Sequence, residues 1–283
     1  MFYEKLKESA QKTGSIVCLG CDPLIEKIPL PETNVEKRIS QFYSDILDAC
    51  VAENVLPGAI KPNYAFYAQY GFQGLHALDN VIKKANALGI PVIFDGKRGD
   101  IGKTSEAYAK EAFEFWNADA LTVAPYMGTD SVAPFAKWCE KGRGIYVLVR
   151  TSNKGAVDFQ NQKIGEHELF LEVAKKVVEW SEGNANGVGA VVGATSMPEL
   201  EKIAHYFAKQ KNKVPLLIPG VGAQGGSAKE VVAVLKNAGY DMGCVRINSS
   251  SGINYAYEEE KSNDYAGAAV RALKKLNAEI GKI

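Results

Sequence analysis

Charged residues follow an apolar, strand-like segment in the first third of the chain. After the apolar run at 92–94 come Asp95, Lys97 and, beyond the expected strand end, Asp100. Side chains two apart on a strand share a face, so Asp95 and Lys97 are expected to point the same way. Lys61 ends another predicted strand, from which it could meet Asp95. The pattern predicts two ammonium groups and two carboxylates at one partly dry site.

This array has the residue types needed for decarboxylation followed by protonation of carbon. A lysine held between carboxylates stays protonated and can deliver a proton. A carboxylate facing an anionic substrate group opposes it by roughly 4 kcal/mol at about 4 Å and an effective dielectric near 20. Loss of CO₂ would relieve that repulsion, and the carbanion left behind would meet a positive lysine. No metal or organic cofactor is required by this chemistry.

The alternative is a structural network in which the four charges merely neutralise one another. Buried ion pairs are poor sources of stability, since desolvation often cancels their attraction. Four such groups at one site therefore favour a functional role.

The elements that must position these residues alternate along the chain. Apolar, β-like runs are separated by segments of helical character, which predicts parallel strands joined by helical crossovers. Eight such units indicate a single (β/α)8 TIM barrel over residues 1–283, whereas fewer would suggest an open, doubly wound sheet. The predicted strands are 16–21, 56–61, 91–95, 120–124, 145–150, 188–193, 214–219 and 243–248, and the predicted helices are 35–55, 74–88, 104–117, 132–141, 168–181, 197–209, 227–238 and 264–280.

In a barrel of this kind, chemistry belongs where strands end and the following loops begin. Polar residues, including Asp22, Lys61, Asp95 and Ser152, cluster at those predicted positions. The longest stretch without a predicted element, 153–167, has the length of a lid or binding loop.

Composition excludes several classes of protein. Thirty-three basic residues balance thirty-three acidic ones, so there is no electrostatic footprint for nucleic acid or an anionic membrane. No apolar run approaches the roughly 18 residues needed to span a bilayer, and no signal peptide is recognised, which favours a cytoplasmic location. Cys18 and Cys21 have C-x-x-C spacing but lie in an apolar strand without a second pair, which favours reduced buried thiols over a redox or metal site.

A glycine-rich loop at 220–226 follows one predicted strand and precedes a helix. Glycines let backbone N–H groups converge on an oxyanion, so Gly222, Gly225 and Gly226, with Pro219 before them, are candidate phosphate-binding residues. The loop also satisfies G-x-G-x-x-G, the dinucleotide fingerprint. Dinucleotide-binding folds usually place that motif in their first βα unit rather than the seventh, which disfavours a nicotinamide-dependent dehydrogenase.

The segment Asp95-x-Lys97-x-x-Asp100-Ile101 resembles the signature of the orotidine 5′-monophosphate decarboxylases, and the longer phrase from 94 to 104 resembles their longer bacterial subgroup. The likeness extends over nearly the full chain. It includes Asp22 after the first strand, Lys61 after the second, residues 150–153 after the fifth and residues 219–226 after the seventh.

The resemblance implies a homodimer that converts orotidine 5′-monophosphate to uridine 5′-monophosphate in pyrimidine biosynthesis, without a cofactor. Lys97 would protonate C6 of the pyrimidine and Asp95 would press on the departing carboxylate. Lys61 and Asp22 would hold the ribose, and Ser152 would hydrogen-bond the pyrimidine edge. The partner subunit would contribute Asp100 and Thr104, and Gln224 would donate to the phosphate.

One position departs from the family's pattern. The family usually has an arginine just after the eighth strand to clamp the phosphate, and here that position holds Ser251. Arg246 lies five positions earlier within the predicted strand. Either Arg246 substitutes for the missing arginine, or backbone groups and Gln224 hold the phosphate, or the chain is altered at that site.

Two other functions share part of this pattern. Related sugar-phosphate decarboxylases and aldolases of the same barrel group have a similar Asp-x-Lys-x-x-Asp motif and typically need Mg²⁺. A non-catalytic nucleotide-binding barrel is the remaining alternative, suggested by Ser251.

Overall fold

Eight parallel strands form the core of the computed structural model, which describes residues 1–222 and 225–283. These are β1 (Val17–Cys21), β2 (Ala59–Pro62), β3 (Ile93–Arg98), β4 (Ala120–Val123), β5 (Gly144–Arg150), β8 (Val188–Val192), β9 (Leu216–Ile218) and β10 (Val245–Ser249). Their order in the sheet is β2-β1-β10-β9-β8-β5-β4-β3. Each of the eight predicted strands corresponds to one of them.

The two strands at the ends of that order, β2 and β3, also meet. Parallel bridges join Ile60 to Val92 and Asn63 to Asp95, and the Ile60 N–H donates to the Pro91 carbonyl at 2.9 Å. The sheet therefore curls into a nearly closed barrel, as the count of eight βα units predicted.

Helices cover the outside of the barrel, and several begin at a capping side chain. Asn34 accepts from the Lys37 N–H, Ser227 from the Glu230 N–H and Asp264 from the Gly267 N–H, each satisfying a donor that the first helical turn leaves free. The longer helices are α1 (Phe2–Thr13), α2 (Val35–Ala52), α4 (Gly71–Ala87), α5 (Gly102–Lys110), α6 (Thr129–Ala136), α7 (Leu169–Ser181), α8 (Met197–Ala208), α9 (Ala228–Asn237) and α12 (Tyr265–Ile280). Shorter ones are α3 (Tyr64–Ala68), α10 (Ser251–Asn254) and α11 (Ala256–Glu260).

The first helix, α1, was not predicted and closes the amino-terminal end of the barrel. Phe2 and Leu6 are buried together with inward-facing residues of the strands, among them Tyr146. The Phe2 and Tyr146 rings meet edge to face with centroids 5.8 Å apart. The helix thus forms an apolar floor beneath the barrel interior.

The loop after β5 is more ordered than the sequence indicated. It contains a 3₁₀ turn at Lys154–Asp158 and a two-stranded antiparallel hairpin of β6 (Lys163–Ile164) and β7 (His167–Glu168). Gln160 connects the turn to the end of β5, since its side chain accepts from the Thr151 N–H and donates to the Thr151 hydroxyl, both at 2.8 Å.

Across the described residues, none of the helices has the length and apolar character that a membrane span requires.

Candidate active site

A cavity of about 620 Å³ opens at the carboxyl ends of the barrel strands. Residues from most of the strand ends line it, so it occupies the position where barrels of this kind carry their chemistry. The lining residues from the predicted site are Asp22, Lys61, Asp95, Lys97, Ser152, Pro219 and Ser251.

Asp95 lies at the centre of the charged array, with only 6% of its side chain exposed. Its Oδ2 accepts from Lys61 Nζ at 2.9 Å and from Asn63 Nδ2 at 3.2 Å. Its Oδ1 accepts from Lys97 Nζ and from the Thr122 hydroxyl, both at 2.8 Å. Four donors from three strand ends therefore hold the carboxylate in one orientation.

The charges of this array reinforce one another. Burial alone would raise the pKa of Asp95, but the Lys61 and Lys97 ammonium groups outweigh it and hold that pKa below its usual range. Burial alone would lower the pKa of Lys61, but attraction to Asp22 and Asp95 outweighs it, and the Lys61 pKa is raised. Asp95 is therefore a fixed anion and Lys61 a fixed cation at neutral pH.

Lys97 differs from Lys61 in its exposure and in its backbone. Both lysines line the cavity. Half of the Lys97 side chain is exposed, compared with 6% of the Lys61 side chain. Its φ of 44° lies in the left-handed region, which is uncommon for a residue other than glycine. This conformation turns the lysine back over Asp95, so that the predicted pairing forms although the strand does not continue in regular geometry.

Two buried acceptors without a hydrogen bond from any described residue lie in the cavity wall on the side of β1 and β10. Asp22 Oδ1 and Asn248 Oδ1 are buried and without a hydrogen-bond partner among the described residues. Asp22 Oδ1 lies 4.0 Å from Lys61 Nζ. Because a buried polar atom without a partner is costly, such atoms in a cavity wall suit a ligand that supplies hydroxyl or N–H donors.

Ser152 lies opposite these acceptors, directly after β5. Its carbonyl accepts from the Thr195 hydroxyl at 2.9 Å. Gly193 lets the two loops approach closely, because a Cβ added there would lie 2.8 Å from the Ser152 backbone. These contacts hold the Ser152 backbone in place at the cavity wall.

The glycine-rich loop was predicted to offer N–H groups to an oxyanion, but it uses them internally. Gly222 donates to the Gly226 carbonyl, Gly225 to Gly222 and Gly226 to Gly220, at 3.0, 2.7 and 3.0 Å. In this conformation none of these three groups is free for a ligand. The predicted phosphate donor Gln224 lies outside the described residues.

Arg246 does not reach the cavity, so its suggested role as a substitute for the phosphate arginine is wrong. Its guanidinium is fully buried and donates to the carbonyls of Leu6, Gly58, Gly243 and Val245. These acceptors belong to the floor of the barrel. Arg246 points inward as Asn248 does, but two residues earlier on the strand, which is about 7 Å lower.

Asp100 and Thr104 lie outside their own chain's cavity, as far as the described residues define it. Asp100 Oδ1 accepts from the Ile101 N–H at 2.7 Å. Thr104 is exposed on the first turn of α5. The apolar side chains of Ile101, Tyr126 and Met127 are exposed in the same part of the molecule.

Sequence reasoning missed two polar residues of the cavity, Asn63 and Thr122. Asn63 follows Lys61 by two positions, and so its side chain on the strand's inner face could have been found from the alternation alone. Thr122 lies in an otherwise apolar strand, and nothing in the sequence pattern marks its hydroxyl as part of the site.

Within residues 1–222 and 225–283, no group of three or more His, Cys, Asp and Glu is arranged to hold a metal ion.

Comparison with known proteins identifies the family. The model of the orotidine 5′-phosphate decarboxylase / HUMPS family matches residues 44–265. The orotidine 5′-phosphate decarboxylase of Variovorax paradoxus is 40% identical over 276 residues, which cover 96% of this chain and 94% of that protein. The enzyme of the same name from Cupriavidus metallidurans is 42% identical, with 95% and 93% covered.

A solved structure of Leishmania donovani OMP decarboxylase has the same fold. It superimposes with a TM-score of 0.76 at 30% sequence identity, covering 99% of this chain and 98% of that one. The charged array, its place at the mouth of an eight-stranded barrel and these relatives agree, and the chain belongs to the orotidine 5′-phosphate decarboxylase / HUMPS family.

Proposed function

We propose that this chain is a carboxy-lyase that converts orotidine 5′-monophosphate to uridine 5′-monophosphate and CO₂. The observation that carries the proposal is the buried Asp95 carboxylate, held between the ammonium groups of Lys61 and Lys97 at the wall of the 620 Å³ cavity. The name shared by relatives that are about 40% identical over nearly the whole chain supports it.

The proposed chemistry uses charges that are already in place. The substrate carboxylate would lie beside Asp95, where the two anions repel each other. The bond from C6 to the carboxyl carbon breaks, CO₂ leaves and the electron pair stays on C6. The Lys97 ammonium then gives its proton to C6 and is reprotonated from solvent. Because Asp95 and Lys61 are fixed in advance, little reorganisation accompanies the change of charge at C6.

The remaining site residues have binding roles in this proposal. Asp22 and Lys61 contact the ribose hydroxyls, which can donate to the buried Asp22 Oδ1. Ser152 hydrogen-bonds the pyrimidine edge. With Arg246 on the barrel floor, the phosphate is held by Gln224 and by the loops that contain Pro219 and Ser251. Backbone donation by Gly222, Gly225 or Gly226 requires the loop to give up its internal hydrogen bonds.

We also infer a homodimer in which Asp100 and Thr104 complete the site of the partner subunit. In their own chain both lie outside the cavity, within the limits of the described residues, although Asp100 follows Lys97 by only three positions. The exposed apolar side chains of Ile101, Tyr126 and Met127 around them would be covered by such an interface.

The direct test is to mix the purified protein with orotidine 5′-monophosphate and follow the loss of orotate absorbance. We expect turnover by the wild-type chain and none by Lys97→Ala, which should still bind uridine 5′-monophosphate because the ribose and phosphate contacts remain. Lys83→Ala is the matched control, since Lys83 pairs with Asp79 on the outer face of α4. Absence of turnover by folded wild-type protein would contradict the proposed function, and near-normal rates in Lys97→Ala would contradict the role of Lys97.

The same assay tests the Mg²⁺-dependent alternative. We expect unchanged turnover after dialysis against EDTA, because the proposed chemistry draws its positive charge from lysines. Loss of activity that Mg²⁺ restores would favour a sugar-phosphate decarboxylase or aldolase instead.

A further inference from the structure

The strand that carries Asp95 and Lys97 has a bulge at these residues. On β3 the pairing advances from Phe94 to Arg98, while on β4 it advances only from Leu121 to Val123. Asp95, Gly96 and Lys97 therefore face a single residue, Thr122. A bulge of this kind re-aims a side chain, and bulges are frequent beside active sites.

The bulge explains the backbone of Lys97. Its φ of 44° is unfavourable for a side-chain-bearing residue, and such a conformation persists only where the surroundings hold it. On the inner side, the Lys97 N–H donates to Thr122 Oγ1 at 2.9 Å. On the outer side, the next residue along the chain, Arg98, supplies the second attachment.

Arg98 is attached by both its backbone and its side chain. Its carbonyl accepts from the Ala124 N–H at 2.8 Å, which fixes the end of the bulge to the end of β4. Its guanidinium donates from Nε and Nη2 to the two carboxylate oxygens of Glu111, at 3.0 and 2.7 Å. A two-point contact between planar groups fixes orientation as well as distance.

Aromatic rings enclose the same guanidinium. Its carbon lies 4.5 Å from the centre of the Tyr64 ring and 4.8 Å from that of Tyr108, and only 16% of the side chain is exposed. Tyr64 begins α3 directly after β2, and Tyr108 belongs to α5. The side chain is therefore held from the elements that flank the strand on both sides.

Glu111 is itself delivered by an irregular turn. The helix α5 ends in a π-helical turn at Glu111–Phe115, a conformation that is frequent at functional sites. The Trp116 indole N–H donates to Glu111 Oε1 at 3.4 Å. The π-helical turn and Trp116 thus position the Glu111 carboxylate that pairs with Arg98.

We infer that Arg98, anchored by Glu111, is a positioning residue that holds Lys97 in its left-handed conformation over Asp95. The inference rests on the proposed function, since Lys97 is the proton donor in it. Among the described residues, Arg98 does not line the cavity and has no hydrogen bond or ion pair with Asp95, so it would act only through the backbone of the bulge. Lysine can replace it only in part, because an ammonium group keeps the positive charge but offers neither the planar fork nor the stacking surface.

The experiment compares Arg98→Met, Arg98→Lys and Glu111→Gln with the wild-type chain in the decarboxylation assay. We expect kcat to fall about 10- to 100-fold in Arg98→Met, because small misplacements caused far from the chemistry have effects of that order. KM and the affinity for uridine 5′-monophosphate should change by less than about threefold, since binding contacts are kept. The fall in kcat should be smaller for Arg98→Lys and for Glu111→Gln. The double variant Arg98→Met/Glu111→Gln should show no larger fall in kcat than Arg98→Met alone.

Arg271→Met is the matched control, because Arg271 also donates from Nε and Nη2 to one carboxylate, that of Glu260, on the exposed surface. Its kcat should equal that of the wild type. Each rate is divided by the fraction of folded protein, which is measured by thermal unfolding. If Arg98→Met does not fold, the kcat of Glu111→Gln tests the role of Arg98 instead.

The outcomes separate this inference from the function on which it rests. If kcat is unchanged in the Arg98 and Glu111 variants, or if kcat and nucleotide affinity fall equally, the positioning role of Arg98 is overturned. The proposed function is not affected by that outcome. Absence of turnover by the wild-type chain would instead overturn the proposed function.

Discussion

At the scale of single residues, the site is organised around one carboxylate. Asp95 accepts from Lys61, Asn63, Lys97 and Thr122, and this uses the accepting capacity of both its oxygens. A carboxylate so completely paired cannot turn away from an anion placed beside it. The geometry thus converts an ordinary aspartate into a fixed source of repulsion.

The pairing of Asp95 makes stability depend on pH. Its pKa is lowered in the folded chain, so its contribution is fully present above the ordinary value of 3.8 and is lost as pH falls below that value. We expect Asp95→Asn to lower the free energy of unfolding by about 3 kcal/mol at neutral pH, because it leaves Lys61 buried without its nearest anion. The difference from wild type should shrink as the pH of urea unfolding experiments falls towards about 3.

The control for that measurement is Asp79→Asn, which removes an exposed i,i+4 pair with Lys83 and should change the free energy of unfolding by less than about 1 kcal/mol. A difference between Asp95→Asn and wild type that stays constant on acidification would contradict the assignment.

Ser251 offers a second prediction at this scale. Because Arg246 is held on the barrel floor, no arginine takes the place of the family's phosphate clamp among the described lining residues. We expect Ser251→Arg to tighten uridine 5′-monophosphate binding about tenfold, the order of a charge-assisted hydrogen bond. Uridine, which lacks the phosphate, should bind as before, and Asn263→Arg serves as the control for added charge. Equal gains for nucleotide and nucleoside would show that the arginine does not contact phosphate.

At the scale of elements, the junction of β3 and β4 decides how the site works. The bulge opens a gap between the strands, and the Thr122 hydroxyl fills it by accepting from the Lys97 N–H and donating to Asp95. One side chain thus links the backbone of the proposed proton donor to the carboxylate that opposes the substrate. Arg98 and Glu111 act on the same bulge from outside.

Thr122→Val keeps the shape of the side chain and removes its hydroxyl. We expect kcat to fall about tenfold and stability to fall by about 1–3 kcal/mol, because the Lys97 N–H loses its acceptor in a partly buried place. Thr122→Ser should restore most of the rate. A valine variant as active as the wild type would mean that Lys97 is held without this bond.

At the scale of the whole molecule, the two ends of the barrel have separate tasks. The carboxyl ends of the strands carry the cavity and its charges. The amino-terminal end is closed by α1, whose Leu6 carbonyl accepts from the buried Arg246 guanidinium. Barrels of this class generally keep stability at one end and chemistry at the other, and Arg246 belongs to the stable end.

The inferred dimer leads to a mixing experiment. Lys97→Ala and Asp100→Ala should each be inactive, but a mixed dimer has one site with both native residues. Mixing equal amounts under conditions that exchange subunits should restore about a quarter of wild-type activity, since half of the dimers are mixed and each has one intact site. Sedimentation velocity provides the control that dimers form. No recovery in a dimeric mixture would mean that Asp100 acts within its own chain.

Much of this protein could be predicted from its sequence, because the signals are local. Strand and helix periodicity depend on neighbouring residues, and all eight barrel strands were predicted within a few positions. The fold and the family resemblance are confirmed. The pairing of Asp95 with Lys61 and Lys97 follows from strand alternation and strand ends, and the structure brings these three residues together. Their catalytic roles, and those of the binding residues, stay predictions.

Only the tertiary structure decided the features that depend on register between distant segments. The bulge at Lys97 exists because β3 and β4 advance unequally, and that mismatch gives Thr122 and Arg98 their places. The direction of Arg246 was likewise undecided until the height of each residue in the barrel was known. Residues two apart on a strand share a face, but one lies about 7 Å above the other. That difference puts Asn248 in the cavity and Arg246 on the floor beneath it.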